Sequence, residues 1–142
     1  MKYGSLIIEK REYVTLRRIL NFHKYYEDYA HKDALERLRE LIDDAMIEDE
    51  ADMPEDIVRL NSKVMLASRV GRNQMLQLVL PSEENIKENK ISVIGTLGAN
   101  IIGLAVDDTI QFGMPMHLRS LKIARVEKPQ QRSPGWYSGI DF

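Results

Sequence analysis

The spacing of apolar residues changes near residue 55, and that change decides which elements each part of the chain can form. Upstream, apolar side chains recur every three to four residues; downstream, they recur every two. The first spacing lines one face of a helix and the second lines one face of a strand. Met53-Pro54 marks the boundary, because proline has no N–H with which to continue a helical ladder. The chain therefore reads as α+β, with helices first and then an antiparallel β-sheet domain carrying a short helix. The expected divisions are 1–52, 53–127 and a mobile or loosely docked tail at 128–142.

The first helix is predicted over about residues 9–25, with Tyr13, Leu16, Leu20 and His23 on one face. The second is predicted over about 34–47. Asp33 suits its N-cap, Glu36 completes a capping box, and Leu35, Leu38, Ile42 and Ala45 repeat the apolar stripe. Two such helices joined by a polar turn predict an antiparallel hairpin, a short coiled coil zipped along the stripes. Lys10, Arg11, Arg17, Arg18 and Lys24 face an acidic second helix and exit containing Glu36, Glu40, Asp43, Asp44, Glu48, Asp49 and Glu50. Exposed pairs of this kind contribute under about 1 kcal/mol each, so they read as a solvated surface.

Beyond the proline, Val58, Leu60, Val64 and Leu66 alternate with polar residues and predict a strand over 58–68. Gly71-Arg72-Asn73 supplies a turn, and the return strand is expected over 75–80. A short strand at 91–94 leads to Thr96, which can cap one or two helical turns ended by a left-handed Gly103. Further strands are expected at 109–112 and 118–126. Leu118, Leu121 and Ile123 break alternation there, which a bulge near Ser120 would explain.

Most chemistries find no support. Lys and Arg number 20 against 22 Asp and Glu, a net charge of -2 that gives nucleic-acid binding no help. With no cysteine, disulfides, thiolate catalysis and Cys-based zinc sites are excluded, and a reducing compartment fits. Glu9 follows the first apolar residues too soon for a secretory signal, and no apolar run approaches the roughly 20 residues that span a bilayer. A cytoplasmic protein with no membrane partner is expected. His23, His31 and His117 lack metal-ligand spacing. There is no nucleophile elbow, phosphate loop or dinucleotide fingerprint, so neither a cofactor nor an enzymatic activity is expected. The expected hairpin tip, Tyr25-Tyr26-Glu27-Asp28-Tyr29-Ala30-His31, is less bland. Glu27 and Asp28 are candidate oxygen ligands for a divalent metal, although a soluble turn explains them too. Its tyrosines suit either an interface or closure of the hairpin core.

The order of motifs resembles a known family. Ile91-Ser92-Val93, then Thr96-Leu97-Gly98 with Ile101-Ile102-Gly103, then Val106-x-Asp108-x-Ile110, is similar to the C-terminal domain of the Gre transcription factors. Asn61-Ser62-Lys63-Val64 and Pro81-Ser82-Glu83-Glu84 add to it. The run from Asp52-Met53-Pro54 to Asn61-Ser62 resembles the short-armed branch, the regulators of nucleoside diphosphate kinase. Thr96 stands where the family has proline, and Asp107 where it has glycine. The resemblance implies an FKBP-like sheet domain that docks at the rim of the RNA polymerase secondary channel, with polymerase the partner and no direct nucleic-acid contact. Partner-binding candidates are then Thr96, Leu97, Gly98, Ala99, Met114, Pro115 and Tyr26. Gre factors use a long hairpin to deliver metal-holding carboxylates for transcript cleavage, and an arm of about 16 residues per helix reaches only about 24 Å. The resemblance thus implies a monomeric regulator that competes for the channel without cleaving. The alternatives are a cleavage factor using Glu27 and Asp28, an interaction module with another partner, and a prolyl isomerase, for which the sheet domain has too few aromatics.

Overall fold

In the computed structural model, which describes residues 1–113 and 115–128, the chain opens with a strand that its periodicity conceals. Ile7–Glu9 (β1) pairs in parallel with Met46–Glu48 (β2), Ile7 opposite Met46 and Glu9 opposite Glu48. The predicted second helix is therefore too long at its end. It stops at Asp43, where Asp43 and Asp44 place negative charge at a helix C-terminus, the unfavourable sign for the dipole. The Leu6 carbonyl accepts the Met46 N–H at 2.9 Å, a donor that another helical turn would have used.

Two helices lie between these strands, α1 (Lys10–Phe22) and α2 (Tyr29–Asp43). Glu9 caps α1, its carboxylate accepting the N–H groups of Arg11 and Glu12. The chain leaves helical geometry at His23 rather than Tyr25. Asp28, not Asp33, caps α2, its Oδ1 accepting the His31 N–H at 2.9 Å. The earlier cap adds a turn whose His31 continues the buried stripe of Leu35, Leu38 and Ile42.

The sheet domain contains β3 (Lys63–Ser68), β4 (Asn73–Val79), β5 (Lys90–Ser92), a short helix α3 (Thr96–Ile101), β6 (Thr109–Phe112) and β7 (Arg119–Glu127). Its strand order is β5-β4-β3-β7-β6, antiparallel except for β4 and β5. The strand expected from Val58 starts only at Lys63. Asn61 adopts a left-handed φ of 71°, and Ser62 Oγ accepts the Arg59 N–H, so the backbone turns there. The register shift against β3 falls between Ile123 and Arg125, not near Ser120. Leu118 lies outside β7, so no bulge is needed to explain its phase. Gly95 rather than Thr96 precedes α3 as its cap residue. Gly103 and Asp107 both take left-handed backbone, Asp107 with φ of 78° in the turn where glycine is usual.

One core joins helices to sheet. Leu16, Leu20, Leu35, Leu38 and Ile42 share a cluster with Val64, Leu66, Leu78, Ile101 and Ile123. The stripe expected to zip the helices to each other is thus shared with the sheet, and α2 also packs on α3. Among the described residues, no helix is long and apolar enough to cross a membrane.

Candidate functional site

The turn between α1 and α2 is positioned by one buried side chain, His31. The Glu27 N–H donates to its Nδ1 at 3.0 Å, and its Nε2 lies 2.7 Å from the Ile94 carbonyl oxygen. Farther along α2, Arg37 donates to the Asn100 side chain. The hairpin turn and the turn that starts α3 are therefore neighbours, and these two regions hold most of the residues singled out in the sequence.

Those residues do different things. Phe22, Tyr25 and Tyr29 are 81%, 70% and 81% exposed, whereas Tyr26 is half-buried against the core and accepts a hydrogen bond from Arg39. Glu27 and Asp28 are exposed, and Asp28 already serves as the α2 cap. Among the described residues, no group of three or more His, Asp or Glu is placed to hold a metal ion. Thr96 and Leu97 are half-buried, while Gly98 and Ala99 are buried and offer shape rather than side-chain surface. Pro115 begins a 3-10 turn, Pro115–His117, and Met114 and most of the predicted tail lie outside the described residues. Within that turn Met116 is 87% exposed, and Leu118 just after it is also exposed.

Sequence reasoning missed His31, which a helix starting at residue 34 leaves off the stripe; its spacing ahead of Leu35 and Leu38 was the available signal. It also missed Arg59. This guanidinium donates to Glu12 Oε2 through Nε and Nη2, at 3.0 and 2.8 Å, and to the exposed Glu50 through Nη1 and Nη2. Glu9 Oε1 lies 4.0 Å away, and Glu12 Oε1 accepts the Leu60 N–H. Burial lowers the Arg59 value, but hydrogen bonds to Glu50 and the charge of Glu12 more than offset it, leaving it above the ordinary range. Burial raises the Glu12 carboxyl above its usual range despite the same guanidinium. The opposite pulls on one ion pair show desolvation winning at Glu12 and pairing winning at Arg59. The cluster ties α1 to the start of the sheet domain.

The family described as "Transcription elongation factor, GreA/GreB, C-term" matches residues 53–128. The "Regulator of nucleoside diphosphate kinase" of Escherichia coli K12 is 29% identical over 100 residues, which is 67% of this chain and 74% of that protein. The "Transcription elongation factor GreA" of Syntrophus aciditrophicus is 36% identical over 56 residues, 39% of this chain and 35% of that protein. Among solved structures, a "Prokaryotic transcription elongation factor GreA/GreB" from Nitrosomonas europaea superposes with a TM-score of 0.74 at 21% identity. That match covers 88% of this chain and 99% of the other and speaks to fold.

Proposed function

The chain belongs to the GreA/GreB family of transcription elongation factors, and from that premise we propose that it is a bacterial, cytoplasmic regulator that binds RNA polymerase at the rim of the secondary channel. It acts as a monomer, competes there with Gre factors, and stimulates no transcript cleavage. Residues 53–128 carry the docking function. The proposed contact surface combines Thr96 and Leu97 with the neighbouring tyrosines of the hairpin turn and with the loop between β6 and β7.

The arm carries this reading. Its helices have 13 and 15 residues, so at 1.5 Å per residue each is only about 20 Å long. Their apolar faces are already spent on the core shared with the sheet, which keeps the arm against the domain. Cleavage of the kind Gre factors perform needs carboxylates within about 2 Å of a catalytic metal. A misplacement of even about 1 Å can cost about 100-fold in rate. The positions of Glu27 and Asp28 on this short, tethered turn favour occupancy of the channel entrance over delivery of a metal.

Binding of purified polymerase to the full chain tests the docking part. Met116→Ser/Leu118→Ser removes two exposed apolar side chains and should weaken binding at least about tenfold with little change in stability. Unchanged binding would remove this loop from the interface.

A further inference from the structure

We infer that His31 is an acid-sensitive latch that holds the hairpin turn against the sheet domain. Its side chain is buried, at 4% exposure, and both ring nitrogens are committed to backbone groups from different parts of the fold. A ring nitrogen that accepts a hydrogen bond carries no proton. Acceptance from the Glu27 N–H therefore makes Nδ1 the bare nitrogen and makes Nε2–H the donor to the Ile94 carbonyl. Only this neutral tautomer makes both bonds. A second proton lands on Nδ1 and sets two N–H groups against each other at Glu27.

The surroundings give an imidazolium little help. The His31 ring meets those of His23 and Tyr26 edge-on, with centroids 5.6 and 6.1 Å away. His23 Nε2 is buried without a hydrogen-bond partner. Arg39 donates to the Tyr26 hydroxyl and to the Leu20 and His23 carbonyls, so a guanidinium is held at the His23 backbone and at the Tyr26 side chain that the His31 ring meets. Asp28 is the carboxylate held to His31, and its Oδ1 is taken by the His31 backbone N–H. The Glu27 side chain is exposed, and the contact from the sheet domain is the uncharged Ile94 carbonyl. The latch is therefore closed when the rings are neutral. Its contribution is lost when Nδ1 takes a second proton, because the Glu27 N–H then has no acceptor there. Opening frees the turn and the first turn of α2, while Leu35, Leu38 and Ile42 keep the rest of that helix in the core.

Nitrogen NMR on the full-length chain tests this. At about pH 7.5, His31 should be the Nε2–H tautomer. Between about pH 7.5 and 5.0, the Glu27 amide should lose at least about tenfold in exchange protection, after correction for its intrinsic rate. Leu66 and Ile123 amides in the sheet should hold theirs. His23→Phe should keep the step, and His31→Gln should abolish it. An Nδ1–H tautomer, unchanged Glu27 protection across the range, or a step that survives in His31→Gln would overturn the latch. The unmodified protein decides the question even if the His31 variant fails to fold.

Discussion

A methyl group at Gly98 would sit 2.1 Å from the Ser92 carbonyl oxygen and 2.9 Å from the Ser92 carbonyl carbon, both backbone atoms. Gly98→Ala should therefore push α3 off the strand it follows and destabilise by about 2–3 kcal/mol. A lower denaturant midpoint with an unchanged slope would show it; a neutral substitution would mean that the turn can shift freely. Arg59 sets a second expectation. Arg59→Met strands Glu9 and Glu12 in a buried site and should cost about 3–5 kcal/mol near neutral pH. The Glu12 carboxyl already lies above its ordinary value, chiefly through burial, so the folded state binds its proton more tightly than the unfolded chain does. Loss of the guanidinium raises it further. The penalty should be present above that raised value and shrink as pH falls through it, so chemical denaturation near pH 4 should show a smaller gap between variant and parent. A pH-independent penalty would assign Arg59 a packing role instead.

At the scale of elements, the two apolar stripes were legible because the periodicity of an amphipathic helix is local information. Their ends were not. Asp28 and Asp33 are both competent caps, and only the burial of His31 against Ile94 decides between them. The parallel pairing of Ile7–Glu9 with Met46–Glu48 is a non-local choice between two short strands, and neither carries enough alternation to announce itself. The turns at Gly103 and Asp107 were legible, since left-handed backbone selects among few residue types. Leu38 tests the helical packing. It is 1% exposed within a core common to hairpin and sheet, so Leu38→Asp should cost about 3–5 kcal/mol. Because that core is shared, helical and sheet signals should fall in one lowered thermal transition. Melting of the helices alone would show that the two parts are stable independently.

For the whole molecule, the Gre-like run from Ile91 to Ile110 was readable because its motifs constrain backbone, whereas the folding of the arm onto the sheet domain was not. The stripe that would zip two free helices is the same stripe that docks them on a sheet, and sequence spacing does not distinguish the two. The central claim is that a family docking domain joined to a short, tethered arm occupies the polymerase channel without driving cleavage. Stalled elongation complexes in Mg²⁺ test it most directly, with this protein alone and then titrated against an added Gre factor. Glu27→Gln/Asp28→Ser is the companion variant, because serine keeps the α2 cap while both carboxylates are removed. The account predicts no cleavage above the intrinsic rate, dose-dependent loss of Gre-stimulated cleavage, and the same competition from the variant. Cleavage stimulated by this protein and lost in the variant would contradict it.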